Sequence, residues 1–327
     1  MKIIDLINLK NKNDDSKIDS FALDIERGLS LNNKAISSKY FYDDIGSNIF
    51  RKITKHPDYY LTKNEIEILD KVKLKLPNII KLKEIDIIEL GPGDGSKSKI
   101  IIEGFLKNNY IVNYYPIDIS KKALQLLKIT IKENTRLHIN GIVSEYFDGL
   151  EYVKNISKNK QLVLFLGSNI GNFEKSKSIK FMKSIRNKIK KGSYVFIGFD
   201  LKKNPKKLNK AYNDSSNLTK KFNLNLLQRI NNDLQANFNL KKFIHYGAYN
   251  PLLGAMESFL ISTEKQNIHI KKINKTFYFE VYEPIHLEYS FKYSIKDIEK
   301  LAIKSNFIVK KHYKNKDKGF VDSLWKK

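Results

Sequence analysis

The sequence predicts an α/β protein in which a doubly wound, mostly parallel sheet is joined to a second, smaller α+β domain. Between about residues 85 and 200, short apolar runs typical of buried strands alternate with amphipathic runs typical of helices. The stretch after it, to about residue 293, changes to Asn- and Lys-rich helical segments and further strands. A chain of 327 residues is long enough for one large domain or two ordinary ones.

The N-terminal part precedes the alternating pattern. Residues 1–61 have a mixed composition, with clustered aromatic residues at 40–42 and 59–60. The string from Thr62 to Glu65 has the form of a capping box, which predicts that a helix begins there. Apolar residues at near-helical spacing continue this helix, and Pro77 is expected to end it.

Five short apolar strands are predicted in the alternating region. They are residues 85–90, 111–119, 138–143, 162–166 and 194–199. The predicted helices run through Ile100 to Leu106, from Lys121 to Ile131, and through Ile179 to Ile189, where Gly192 ends the last one. Strands and helices that alternate in this way predict a doubly wound parallel sheet.

The residues after the fifth strand predict an insertion followed by the end of the sheet. The insertion contains helices at 205–213 and 218–234 and strand-like runs at 256–262, 267–273, 276–282 and 286–293. A helix at 294–305 and closing strands at 306–313 and 319–325 complete the sheet. We therefore predict one domain of residues 62–200 plus 294–327, and a second domain of residues 1–61 plus 201–293.

A glycine-rich turn after the first long strand is the first candidate for chemistry. Glu89, Gly91 and Gly93 form an E-x-G-x-G pattern, and Ser96 stands where the dinucleotide fingerprint has its third glycine. Glycines at such a turn let the backbone approach a ligand closely. The pattern resembles the turn of S-adenosylmethionine-dependent methyltransferases, whose cofactor has no phosphate.

Three further residues are candidates for the same cofactor site. Asp118 ends the second strand, where an acid suits hydrogen bonds to two ribose hydroxyls. Glu145 follows the third strand and is expected near the adenine, and Lys97 stands in the first turn of the helix after the glycines. The alternative interpretation is that these are turn glycines and helix-capping acids without a ligand.

The formal net charge of +25 raises the question of a nucleic-acid partner. Of the 60 basic residues only five are arginines, the residue whose planar fork is favoured in specific nucleic-acid contacts. The Lys excess therefore favours a compositional bias of the whole surface, and we expect no nucleic-acid partner. A basic nucleic-acid-binding or nucleic-acid-modifying protein is kept as the alternative from another functional class.

Composition also excludes several kinds of site. Without cysteine, the chain has no disulfide framework, thiol nucleophile or cysteine zinc site. The six histidines show no metal-ligand spacing, so no metal is expected. No run approaches the ~18–20 apolar residues of a membrane span, and the N-terminus does not have the pattern of a signal peptide. We expect a cytoplasmic monomer that acts on a small molecule away from membranes.

Longer strings resemble one family closely. The chain is similar to the histidine-specific Nα-methyltransferases of ergothioneine biosynthesis over roughly residues 35 to 325. The matching strings are Tyr40–Phe50, Pro57–Thr62, Phe165–Phe173, Lys210–Asp214, Gln235–Phe238 and Leu287–Lys292. The resemblance implies a Rossmann-like class I methyltransferase sheet, S-adenosyl-L-methionine as cofactor, and trimethylation of the α-amino group of L-histidine to the betaine hercynine.

The resemblance also implies roles for particular residues. Asn172 and Tyr212 would hold the amino and carboxylate groups of the substrate, and Tyr42 and Asn172 would be the catalytic residues. Tyr42 and Tyr59 would line the pocket, and Phe50 would wall the methyl-transfer zone. Glu288 and Ser290 would face the imidazole, which agrees with their alternation on one face of a predicted strand.

Other interpretations of these residues remain open. Without the resemblance, Asn172 is equally a helix N-cap, Tyr42 and Tyr59 are ordinary core or surface aromatics, and the polar strand face is a solvated one.

One substrate-pocket position departs from the family pattern. Family members known for histidine commonly carry Met in the ring pocket where this chain has Ser258. A smaller residue enlarges the pocket for a bulkier amino acid such as tryptophan, or Met256 fills the space from a shifted register. Methylation of histidine is the leading hypothesis, and methylation of another amino acid such as tryptophan is the alternative.

Overall fold

The computed structural model describes residues 1–7 and 15–327, and these divide into two compact units. The described residues of the first unit are 1–7, Leu61–Lys202 and Phe291–Lys327. Those of the second unit are 15–60 and Lys203–Ser290.

The elements are numbered in chain order. The strands are β1 Lys2–Asp5, β2 Glu84–Leu90, β3 Ile111–Asp118, β4 Leu137–Val143, β5 Gln161–Phe165, β6 Tyr194–Asp200, β7 Phe243–Asn250, β8 Ala255–Ser262, β9 Gln266–Ile270, β10 Lys275–Phe279, β11 Pro284–Phe291, β12 Ile308–Lys314 and β13 Phe320–Lys326. The helices are α1 Asp15–Leu29, α2 Asp44–Ile53, α3 Tyr60–Val72, α4 Lys75–Ile80, α5 Ser96–Lys107, α6 Lys121–Thr130, α7 Tyr146–Ile156, α8 Lys175–Lys188, α9 Pro205–Tyr212, α10 Leu218–Leu234 and α11 Ile295–Lys304. Short 3₁₀ turns occupy Ser38–Phe41, Asn169–Asn172, Leu240–Lys242 and Lys271–Ile273.

The first unit is built on an eight-stranded sheet of order β1-β4-β3-β2-β5-β6-β13-β12. The strands from β1 to β6 pair in parallel, whereas β13 runs antiparallel to β6 and to β12. The strand order reverses between β2 and β5, which is where open α/β sheets bind ligands at their carboxyl ends. The predicted α/β class with a doubly wound sheet is confirmed.

The central strands are apolar because both faces of the sheet are covered. All residues of β5 and β6 are buried, and in β2 only the first residue, Glu84, is exposed. Strands buried on two faces read as continuous apolar runs rather than alternating ones. This is why these strands stand out in the sequence.

The N-terminal strand corrects the predicted domain boundary. The prediction placed residues 1–61 with the insertion, but β1 pairs in parallel with β4 from Lys2 opposite Asn140 to Asp5 opposite Val143. Residues 1–7 therefore belong to the first unit. Four residues can extend a sheet edge through backbone hydrogen bonds, which leave little trace in the side-chain pattern.

The start of α3 corrects the predicted capping box. The helix begins at Tyr60, so Thr62 and Glu65 both lie inside it. It ends at Val72, before Pro77, and this proline falls in the first turn of the separate helix α4, where it is tolerated. Glu65 is 1% exposed and makes tertiary contacts instead of capping the helix.

The second unit packs helices on two small sheets. One sheet has the order β11-β8-β7 and the other pairs β9 with β10. Apolar residues of α1, α10 and these strands form its core, with Ile25, Phe222 and Phe243 among the buried members. Within the part of the chain that the structure describes, no helix combines the length and apolar composition needed to cross a bilayer.

Candidate cofactor and substrate sites

The glycine turn between β2 and α5 leaves its backbone open on one side. Gly91 and Gly93 have φ angles of +68° and +59°, in the region that favours glycine. A Cβ on Gly91 would lie 2.9 Å from the hydroxyl oxygen of Tyr146, whereas a Cβ on Gly93 would meet nothing within 4 Å. The open space beside Gly93 is a cradle in which a ligand could lie against the backbone.

Asp118 lies at the carboxyl end of β3, beside the same turn. Its carboxylate accepts the backbone N–H of Ser120 at 2.9 Å, and the N–H groups of Gly93 and Ile119 also point to it. Burial raises the pKa of Asp118 to about 6, against the opposing effect of these N–H groups. An acceptor of hydroxyl groups is thus held next to the open glycine.

Glu89 is buried beneath the turn and is satisfied by the protein. The hydroxyls of Ser98 in α5 and Tyr114 in β3 both donate to its carboxylate. Burial raises the pKa of Glu89 above its ordinary value, although both hydrogen bonds oppose the rise. Glu89 therefore ties the glycine turn to the sheet, and its predicted contact with the cofactor stays a prediction.

The other candidates in this unit follow β2, β4 and β5. Lys97, in the first turn of α5, donates to Glu65 at 2.7 Å. Glu145 is exposed at the N-cap of α7 and makes no side-chain capping hydrogen bond. Asn172 is partly buried at the end of the 3₁₀ turn that follows β5. The N-cap of α8 is Glu174, so the interpretation of Asn172 as a helix N-cap is wrong.

Three of the predicted aromatic residues share a cluster in the second unit. The ring centroids of Tyr42 and Phe50 are 5.5 Å apart, and those of Phe50 and Tyr59 are 6.3 Å apart. Phe222 of α10 completes the cluster, at 5.7 Å from Tyr42 and 5.6 Å from Phe50. Aromatic faces of this kind attract cations. Phe222 was not predicted, because an aromatic residue on an amphipathic helix looks like ordinary core.

A polar pair lies elsewhere in the second unit. The hydroxyl of Tyr212, at the end of α9, donates to Ser290 Oγ of β11 at 2.7 Å, and both residues are buried. Glu288 is partly buried two residues before Ser290, so the two side chains share a face of the strand. Ser258 is 3% exposed on β8, the neighbour of β11 in the sheet.

The candidates thus fall into two sets. The first unit contains Glu89, Gly91, Gly93, Lys97, Asp118, Glu145 and Asn172, and the second contains Tyr42, Phe50, Tyr59, Tyr212, Ser258, Glu288 and Ser290. Tyr146 and Glu65 adjoin the first set and were not predicted. Among residues 1–7 and 15–327, no three acidic or histidine side chains are grouped so that they could hold a metal ion.

A comparison with family models identifies the chain. The model described as "Histidine-specific methyltransferase, SAM-dependent" matches residues 21–327. The chain belongs to this family. The chain is an S-adenosylmethionine-dependent N-methyltransferase, and its cofactor is S-adenosylmethionine. The open cradle beside Gly93 and Asp118 suits that molecule.

Individual relatives share about a quarter of the sequence. The histidine N-alpha-methyltransferase of Mycolicibacterium smegmatis is 27% identical over 85% of this chain and 86% of its own length. Ergothioneine biosynthesis protein 1 of Neurospora crassa is 29% identical over 80% of this chain, but only 30% of its own length is covered. The 4-dimethylallyltryptophan N-methyltransferase of Claviceps purpurea is 26% identical over 88% of this chain and 89% of its own.

Proposed function

We propose that the chain methylates the α-amino group of L-histidine three times, forming hercynine. The observation that carries the proposal is the buried hydrogen bond from Tyr212 to Ser290, with Glu288 on the same strand face. Family membership and the relative from Mycolicibacterium smegmatis, a histidine N-alpha-methyltransferase, support it.

The cofactor is assigned to the glycine turn of the first unit. S-adenosylmethionine supplies a methyl group that is already activated by the positive charge on sulfur. Asp118 would accept the ribose hydroxyls, and Gly91 and Gly93 would let the backbone approach the cofactor closely. Glu145 would lie on the adenine side. Lys97, in the first turn of α5, would be a further cofactor-binding residue. Glu89 would support the turn from below.

The substrate amine must be held in place and must be neutral to attack. Asn172 and Tyr212 would hold its amino and carboxylate groups. Binding would then place the amine nitrogen and the methyl group in the orientation that transfer requires. The amine loses its proton to water or to a nearby polar group before each transfer. Tyr42, Tyr59 and Phe50 would accommodate the growing cationic head, and such contacts contribute about 0.5–2 kcal/mol.

Selection of histidine is assigned to Glu288 and Ser290. A carboxylate and a hydroxyl on one strand face can pair with the N–H and the acceptor nitrogen of an imidazole. A substrate without those groups would leave polar atoms unpaired, which costs about 1–3 kcal/mol for each group.

The second candidate is the same chemistry on a larger amino acid such as tryptophan. Ser258 is buried and small, and Met256 is also buried, two residues away on the same face of β8. The relative named 4-dimethylallyltryptophan N-methyltransferase makes this alternative concrete. If Ser258 enlarges the ring pocket, Ser258→Met should increase the preference for histidine over tryptophan.

A substrate panel tests both candidates. The protein is incubated with S-adenosylmethionine and each of the twenty amino acids, and methylated products are read by mass spectrometry. We expect mono-, di- and trimethylated histidine, and a loss of about 10- to 100-fold in kcat/KM for histidine in Glu288→Gln, because a charge-assisted hydrogen bond is removed.

Two controls accompany the panel. Glu280→Gln removes an exposed carboxylate from the same unit and should leave histidine methylation unchanged. S-adenosylhomocysteine affinity, measured by calorimetry, should stay within about twofold of wild type in Glu288→Gln. The absence of any histidine product refutes the leading proposal, and equal losses of cofactor and histidine binding make Glu288 structural.

A further inference from the structure

Glu65 connects the two loops that adjoin the proposed cofactor site. Its carboxylate oxygens accept the backbone N–H of Gly167 at 2.7 and 3.0 Å, and one of them accepts Lys97 Nζ at 2.7 Å. Lys97 follows the glycine turn after β2, whereas Gly167 follows β5. The two strands are neighbours at the point where the strand order reverses.

The loop after β5 has an unusual backbone conformation at the place where Glu65 contacts it. Gly167 has a φ angle of +79° and Ser168 one of +58°, a conformation that is unfavourable for a serine. The Ser168 hydroxyl accepts the backbone N–H of Asp200, which ties the loop to β6. A Cβ on Gly167 would lie 3.2 Å from Lys97 Nζ, so the loop packs directly on the lysine.

A second acid, Asp322, is buried beside the ion pair of Glu65 and Lys97. Asp322 of β13 is fully buried, and its carboxyl group is hydrogen-bonded to that of Glu65. Burial, together with the nearby charge of Glu65, raises the pKa of Asp322 well above its ordinary value. This shift favours the protonated form of Asp322, and Glu65 is the carboxylate that pairs with Lys97, at 2.7 Å. Burial lowers the pKa of Lys97, but the nearby acids, Glu65 first among them, outweigh burial and raise the pKa above its ordinary value.

We propose that Glu65 is a positioning residue for S-adenosylmethionine binding, which holds Lys97 and the Gly167 loop in their binding geometry without touching the cofactor. The inference rests on the proposed location of the cofactor at the glycine turn. It explains why a carboxylate on α3 is buried at this place, where a helix-capping role does not apply.

Calorimetric titration of the full-length protein with S-adenosylhomocysteine tests the inference without any methyl transfer. We expect Glu65→Gln to weaken the affinity at least about tenfold, because Gln can accept one N–H but cannot neutralise Lys97. Glu67→Gln is the matched control: it lies on the same helix, and its carboxylate pairs at the surface with Lys71, so its affinity should stay within about twofold.

A double-mutant cycle separates positioning from general stability. If Glu65 acts through Lys97, then Glu65→Gln should cost little further affinity once Lys97→Met is present. Additive losses, or wild-type affinity in Glu65→Gln, overturn the inference. If the role of Glu65 were purely structural, Glu65→Gln would lower the melting temperature, and its effect on affinity would be the same with and without Lys97→Met.

A second variant displaces Glu65 without removing its charge. A Cβ on Gly198 would lie 2.2 Å from Glu65 Oε1, so Gly198→Ala should push the carboxylate away from Lys97 and weaken the same affinity. This variant decides the question if Glu65→Gln does not fold, and wild-type affinity in it overturns the inference. Asp118→Ala tests the site itself: if it binds normally, the assigned cofactor location is wrong, whatever Glu65 does.

Discussion

At the scale of single residues, the proposed role of Asp118 predicts that cofactor affinity depends on pH. The ionised carboxylate can accept both ribose hydroxyls, but burial raises the pKa of Asp118 to about 6. Affinity should therefore rise as the pH rises through about 6 and level off above 7. At pH 5 only about a tenth of the carboxyl is ionised, so we expect S-adenosylhomocysteine to bind about tenfold more weakly than at the plateau.

The stability of the cofactor-free protein should change in the opposite direction. The folded-state pKa of Asp118 lies above the ordinary value of 3.8, so between about pH 4 and 6 the unfolded chain loses a proton that the folded one keeps. Asp118 therefore makes folding less favourable as the pH rises through this window.

Titration calorimetry from pH 5 to 8 measures the affinity for S-adenosylhomocysteine, and Asp118→Asn should flatten the dependence of this affinity on pH. A profile that is unchanged in Asp118→Asn assigns the pH dependence to another group.

Single residues also show where sequence reasoning succeeds and fails. The structure has the predicted acid at the end of β3 and the predicted glycines in the turn after β2, while their contact with the cofactor stays a prediction. Glu65 was misread as part of a capping box, because S/T-x-x-E is a local pattern that also occurs inside helices. Its partners Lys97 and Gly167 are 32 and 102 residues away in sequence, and only the folded sheet brings them to it.

At the scale of elements, an ion pair fixes the chain where it returns to the sheet. Lys292, just after β11, lies 3.0 Å from the carboxylate of Asp200 at the end of β6, and both side chains are fully buried. Lys292→Met would remove this positive charge from beside the buried carboxylate, and breaking a buried ion pair destabilises proteins by about 3–5 kcal/mol. We expect a decrease of that size in the free energy of unfolding in urea.

An exposed ion pair of the same type provides the control. Lys265 pairs with Glu280 at 3.1 Å, and both side chains are more than two-thirds exposed. Lys265→Met should leave the urea midpoint unchanged, because exposed pairs are solvated and screened. If Lys292→Met and Lys265→Met have the same urea midpoint, the buried pair contributes no more to stability than the exposed pair does.

The strands differ in how clearly their sequences predict them. The buried strands β2, β5 and β6 were predicted within a residue or two, as was the closing hairpin of β12 and β13. Strand β7 was missed, because polar and apolar residues alternate irregularly from His245 to Asn250. Backbone pairing with β8 holds it instead: each residue from Phe243 to Asn250 faces one from Ser262 to Ala255. Such pairing depends on the neighbour rather than on local propensity.

At the scale of the whole molecule, the division into two units follows from where the chain leaves and re-enters the sheet. The insertion was visible because a helix-rich, polar stretch separates two groups of apolar strands. The four-residue strand β1 escaped prediction, because its role is to extend an edge that only exists once β4 is in place. The monomeric state, the cytoplasmic location and the absence of a nucleic-acid partner stay predictions.

The net charge of +25 is the property of the whole chain that most needs a test. Charge alone supports non-specific binding to a polyanion, on the order of 10⁻⁴–10⁻⁶ M at physiological salt. Specific recognition needs directed contacts, for which five arginines among 60 basic residues are few. We expect fluorescently labelled RNA and DNA oligonucleotides to bind within that weak range, without sequence preference, and a hundredfold excess of RNA to leave histidine methylation unchanged. Sequence-dependent binding tighter than about 10⁻⁷ M, or methyl transfer to the oligonucleotide, would establish the nucleic-acid alternative and make the lysine excess functional.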